Sequence, residues 1–166
     1  MPRRRDRVRR LAAALLDDAG AWRGATLGRC RLAPLPGGRV LVCREARGLP
    51  HLEVAPGNVV WWDRRFAVRV DACGPGARIG ALGAAGWREI AARMPQLRET
   101  PVPVAARAVL PAVWDRWQGQ WGVCAVPNLG YNRSDGPGTG ASARFRPARP
   151  LSGRGFCLAL APPRTI

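Results

Sequence analysis

Residues 59–70 read VVWWDRRFAVRV, and within them Phe66, Val68 and Val70 alternate with Arg65, Ala67 and Arg69. Successive side chains of a strand point to opposite faces, so this stretch requires a sheet with one covered and one solvated side. Asp63 and the two arginines after it mark a bend, which divides the stretch into a third and a fourth strand. Two strands are expected before it. In GATLGRCRLAP, Thr26, Gly28, Cys30 and Leu32 fall on one face, PLPGGR supplies a turn, and RVLVCRE returns as the second arm of a hairpin.

Helical spacing appears first at the N-terminal end. Over residues 3–19, Val8, Leu11, Ala12, Leu15, Leu16 and Ala19 follow the i, i+3, i+4 pattern, and Gly20 supplies a stop. The opposite face carries arginine. Six arginines among the first ten residues crowd the positive end of the helix dipole, and no capping residue precedes Asp6.

Downstream, DACGPGARIGALG is rich in breakers and reads as a joint between two halves. GWREIAARMP predicts a short helix ended by Pro95, TPVPVAARAVLPAVWD an extended, proline-punctuated entry into a further β region, and WGVCAVPNLGY a strand with a turn. Residues 132–144 predict a flexible loop, and FRPARPLSGRGF closes the fold. The expected class is α+β: an amphipathic Arg-rich helix over residues 1–20, a β-rich part with antiparallel hairpins over 21–72, and a mixed part over 73–166 with a short helix and a second small β region. At 166 residues and 47% apolar content, the chain can fill one ordinary core or two small ones.

Charge narrows the partners. Twenty-seven basic residues, all arginine, stand against 11 acidic ones, a formal charge of +16. Arginine in place of lysine follows from G- and C-rich codons and says little about function. Uncompensated charge of this size favours a polyanion through counterion release, which points to nucleic acid. The five cysteines, Cys30, Cys43, Cys73, Cys124 and Cys157, are odd in number and form no C-x-x-C pair; they read as buried structural thiols in a reducing cytoplasm. No apolar run reaches membrane-spanning length, so no membrane partner is expected. The glycine stretch GPGTGAS lacks the Lys-Ser/Thr of a phosphate loop, and GPGARIG and GGRV fit no better. The lone histidine, His51, reads as an exposed loop residue, and the acidic residues form no metal-binding cluster. Among the seven tryptophans, Trp62 and Trp117 are the expected candidates for stacking on bases, flanked by Arg64, Arg65 and Arg116, while Trp61 is expected in the core.

Eight stretches then occur in one order: RRDRVRRLAAALL, RGATLGRCRLAP, GGRVLVCREARGLP, LEVAPGNVVWWDRRFAV, IGALGAAGWRE, LPAVWD, AVPNLGY and FRPARPLSGRGF. The series resembles the C-terminal half of tRNA(Ile)-lysidine synthetase in its alphaproteobacterial form. Members of that family use ATP to adenylate the wobble cytidine of the isoleucine tRNA with a CAU anticodon, then attach lysine. Their catalysis belongs to an N-terminal ATP-pyrophosphatase domain with a Ser-Gly-Gly-x-Asp-Ser loop, which does not occur in this sequence. The resemblance therefore implies that ATP and Mg²⁺ belong to a domain outside this sequence. It implies no catalytic, cofactor or metal residue here, and a tRNA-docking role through the acceptor stem. It also implies a fragment, because arginines piled on an uncapped helix start are what an internal Met leaves of an upstream helical region.

Phosphates and 2′-hydroxyls of an A-form stem suit arginines spread over a surface. The expected tRNA contacts are Arg4, Arg5, Arg9 and Arg10 of the first helix, with Arg144, Arg146 and Arg149 as a second group. Leu27, Gly28, Trp62, Asp63, Phe66, Gly86, Trp87 and Pro127 are expected to hold the fold. Three alternatives stand beside this reading: a free-standing basic RNA-binding module without catalysis, a small enzyme using Cys73 as nucleophile, and a folding remnant without activity.

Overall fold

The computed structural model describes residues 4–17, 22–134 and 139–148, with only the backbone at positions 4, 17 and 117. In chain order the elements are α1 (Arg4–Asp17), β1 (Ala25–Leu27), β2 (Cys30–Leu35), β3 (Arg39–Arg44), β4 (Leu52–Glu53), β5 (Val59–Trp62), β6 (Phe66–Val70), β7 (Arg78–Ala81), α2 (Gly83–Arg93), α3 (Val104–Arg107), β8 (Pro111–Trp117), β9 (Gln120–Val126), β10 (Tyr131–Asn132) and β11 (Ala141–Phe145). Short 3₁₀ turns lie at Pro95–Glu99 and Pro127–Leu129. The class is α+β.

Every strand pairing is antiparallel. A central five-stranded sheet runs β10-β9-β8-β7-β4, a second sheet runs β11-β6-β5, and the third, β1-β2-β3, is a meander near the N-terminal end. The expected alternation in residues 66–70 is present: Phe66, Val68 and Val70 are buried, while Arg69 is exposed. These three join Trp62, Ile79, Val113 and Ala125 in the core between the second sheet and the central one. The other face of the central sheet carries Ala112, Val123 and Val126, which pack with Leu82, Ile90 and Leu97 of the α2 region.

A bulge reconciles the two faces of β9. Val113 lies opposite Ala125, yet Trp114 lies opposite Val123, so Cys124 is an extra residue on one strand. With strict alternation Val123 and Ala125 would share a face; the bulge sends one to each core. Gly86 of α2 fits where a Cβ would come within 2.9 Å of the Trp114 ring.

The structure corrects several expectations. Residues 24–32 are not one strand: Gly28 and Arg29 take positive φ (59° and 66°), so the chain reverses there and Leu27 pairs with Cys30. Consecutive left-handed residues match the twist of a two-residue hairpin, and glycine admits them without steric cost. The stretch read as a joint contains β7, which sits inside the central sheet between β4 and β8. Its glycines shape the turns on either side, and Ile79 between them is fully buried. The expected loop over 132–144 ends early, because residues 141–145 form β11 in full register with β6. Val104–Arg107 forms one helical turn, α3, where an extended entry was expected. β4 had no signal of its own.

Three elements meet at Asp63. Its carboxylate accepts from Arg65 Nε at 2.7 Å and from Arg44 Nε at 3.2 Å, with all three side chains largely buried. Arg44 ends β3, Asp63 lies in the β5–β6 turn, and Arg65 also donates to Val109 O ahead of β8. Removing the acid leaves two guanidiniums short of a counter-ion in a low-dielectric site. Asp63→Ala is expected to lower unfolding free energy by about 3 kcal/mol. Asp71→Ala, which breaks the exposed Arg69 pair, should cost less than about 1 kcal/mol. Urea unfolding of the two variants beside the parent chain measures both.

Candidate nucleic-acid interface

The outer face of the β11-β6-β5 sheet is built by strand parity. Trp62 lies opposite Phe66, and both point into the core, so Trp61, opposite Ala67, points outward. Arg144 lies across β6 from Trp61, on the other side of Ala67, and the next row outward carries Val59, Arg69 and Ser142. The small Ala67 leaves room above the sheet, and the Arg146 guanidinium sits 5.6 Å from the centroid of the Trp61 ring. Backbone bonds from Arg146 N to Arg65 O and from Ala148 N to Arg64 O extend the pairing past β11.

The result is a half-exposed tryptophan, at 46% of its full accessibility, under Arg146 and on the same sheet face as Arg69 and Arg144, all three arginines exposed. Asp71, paired with Arg69 at 2.7 Å, is the acid on this face with a direct contact to it. Such a surface offers guanidiniums to phosphates and an aromatic face to a base.

Of the sequence-predicted contacts, the structure brings together Arg144 and Arg146. Arg149 lies outside the described residues, and Arg4 is described by its backbone alone. Arg5, Arg9 and Arg10 are exposed on α1. Arg5 and Arg9 stack one turn apart, while Arg10 is rotated about 100° from Arg9 and so leaves their row. With Arg7 it lines a cleft of about 380 Å³ between α1 and β1, and its Nε donates to Asp6 O at 3.4 Å. Arg5, Arg9 and Arg10 therefore share no single row of the helix.

Trp62 lies in the core, as expected of a residue that holds the fold and against its reading as a stacking candidate, while the expectation that Trp61 is in the core is overturned. Trp62 is fully buried and donates Nε1 to Pro50 O at 2.9 Å, whereas Trp61 is the exposed ring. Arg65 lies over Trp62 and Phe66 but is turned inward by Asp63. The side chain of Trp117 lies outside the described residues. The signal that separates Trp61 from Trp62 is the loop length: three residues, 63–65, join the strands and set Trp62 opposite Phe66.

Other chemistry finds less support. GPGARIG leads into a strand, GGRV turns a hairpin, and residues 136–138 of the third glycine stretch lie outside the described residues, so neither described stretch offers a helix N-terminus to a phosphate. Among the described residues no three His, Cys, Asp or Glu side chains gather to hold a metal, and no helix is long and apolar enough to cross a membrane. Cys30, Cys43 and Cys73 are free and only partly buried, a correction to the expectation of burial; Cys124 is buried. Burial pushes the Cys73 thiol up, and the Asp115 carboxylate pushes it further, the reverse of what a nucleophile requires. Asp115 itself is a structural acid that sequence reasoning missed: it is buried and accepts from Gly74 N at 2.6 Å and from Arg116 N at 2.7 Å.

The chain matches no family model, no curated protein and no solved structure.

Burial also raises Cys43 and Cys124. A thiol with a raised folded-state pKa contributes stability that is fully present below its unfolded value, about 8.5, and lost as pH rises through the folded one. Alkylation mapped by mass spectrometry at about pH 8 should be slower at Cys43, Cys73 and Cys124 in native protein than in urea. Equal rates in the two states would contradict the burial.

Proposed function

We propose that this chain is an RNA-docking module that holds a structured RNA by its backbone. The observation that carries the reading is the outer face of the β11-β6-β5 sheet, where Trp61 lies under Arg146 and Arg144 stands across Ala67 from it. The net charge of +16 supplies long-range attraction, and spread arginines with one exposed ring suit a phosphate-lined surface with unpaired bases at its margin.

The narrower form of the proposal is the tRNA-docking portion of tRNA(Ile)-lysidine synthetase, with the isoleucine tRNA of CAU anticodon as partner. Its support is the ordered series of sequence stretches alone. In that form ATP, Mg²⁺ and the ligase chemistry belong to a separate catalytic domain, and this chain contributes affinity and orientation. A stand-alone basic module would dock structured RNAs alike.

Arg144→Ala/Arg146→Ala is expected to weaken tRNA binding and to reduce the slope of log affinity against log salt by about two contacts. Trp61→Ala should weaken binding with the slope unchanged, since a ring releases no counterion. Arg9→Ala/Arg10→Ala, two exposed arginines on different faces of α1, should lower the slope by about one. Filter binding across a salt series reads all three. An undiminished slope in the Arg144/Arg146 variant would remove this sheet face from the interface, and equal affinity for all tRNAs would remove the narrower form.

A further inference from the structure

Trp121 stands between two clefts on the helix-bearing side of the central sheet, away from the Trp61 face. One cleft, about 260 Å³, is lined by His51, Arg78, Trp114 and Trp121. The other, about 470 Å³, is lined by Glu89, Arg93, Gln118, Gln120 and Arg133 around the same Trp121. The first is smaller than the roughly 300–1,000 Å³ of pockets for drug-sized ligands and suits one planar ring system. The second is polar and wider.

Both clefts depend on absent side chains. A Cβ on Gly80 would come within 2.7 Å of His51 Nδ1, so the imidazole occupies space that only glycine leaves on β7. A Cβ on Gly122 would come within 2.9 Å of Arg133 Nη1 and 3.1 Å of Glu89 Oε1, so glycine on β9 lets these groups converge. Trp121 keeps 40% of its accessibility, and the guanidiniums of Arg78 and Arg116 lie 5.0 and 5.3 Å from its ring centroid. Four arginines surround the paired clefts, against the carboxylates of Glu53, 3.5 Å from Arg78, and Glu89, 3.8 Å from Arg93. Glu89 is further occupied by accepting from Val123 N at 3.3 Å.

We infer that these clefts form a site for one unpaired nucleotide of an RNA strand, with the base among His51, Trp114 and Trp121 and the phosphate toward Arg93 and Arg133. Rings and guanidinium planes stack on a base, and a polar cleft that shares Trp121 and carries Arg93 and Arg133 accepts the charge attached to it. The inference rests on the RNA-docking reading for its partner, but it uses a different surface, so the two fail separately.

The test titrates the full chain with a single-stranded RNA pentamer, the four nucleoside monophosphates, inorganic phosphate and an RNA duplex, followed by calorimetry. The pentamer should bind, and Trp121→Ala should weaken it about tenfold. Trp121→Phe, which keeps a ring, should recover most of the loss. His51→Ala, at an exposed position, should weaken the pentamer several-fold. Duplex binding should be unchanged in all three and reduced in the Arg144→Ala/Arg146→Ala variant. Pentamer affinity unmoved by both Trp121→Ala and His51→Ala would overturn the site. Monophosphates binding as tightly as the pentamer would overturn the strand as source and make this a free-nucleotide site; phosphate alone doing so would reduce it to an anion site. Loss of duplex binding from the parent chain with the pentamer effects intact would sink the docking reading and leave this site standing.

Discussion

The carboxylate of Asp63 joins the three sheets. It lies in the turn of the β11-β6-β5 sheet, receives Arg44 from the end of the N-terminal meander, and holds Arg65 so that its far nitrogen reaches the backbone leading into β8. In a chain with 27 basic residues and 11 acidic ones, an acid placed between two arginines at a junction does more than neutralise charge. It sets where the sheets sit, because a largely buried guanidinium without a counter-ion is far more costly than one in water. The same pull turns Arg65 inward over Trp62 and Phe66, and thereby leaves Arg146 as the cation over Trp61.

The central sheet supplies the second constraint. It is covered on both faces, by the second sheet and by α2, so its strands must send apolar residues both ways. The bulge at Cys124 achieves this on β9, Gly80 and Gly122 accommodate side chains that approach the sheet closely, and Gly86 on α2 makes room for the Trp114 ring. Where cover by α2 stops, Trp114 and Trp121 are left lining open clefts. The outer face of the second sheet has no covering layer among the described residues, and it is there that Trp61, Arg144 and Arg146 collect.

Much of this was legible in the residues. The alternation over 66–70 assigned Phe66, Val68 and Val70 to a covered face, the bend at Asp63 was marked by its own sequence, and the α2 helix ended before Pro95. Other features had no local signal. Pairing of Trp62 with Phe66 depends on a three-residue loop, and a change of one residue in that count would exchange Trp61 and Trp62 between core and surface. β7 hid inside a glycine-rich stretch because its stability comes from two neighbouring strands. β11 hid for the same reason: ASARF is a weak strand by composition, and register with β6 makes it one.

By itself, the sequence determined the α+β class, the amphipathic first helix, the strand period around Phe66 and a strongly positive net charge. These are properties of spacing and composition, which act within a few residues or over the whole chain at once. Only the tertiary structure decided which tryptophan is exposed, which arginines share a face, and that Trp121 separates two clefts. Those outcomes depend on register, bulges and missing Cβ atoms between strands far apart in sequence, where a shift of one residue changes the face on which a side chain appears.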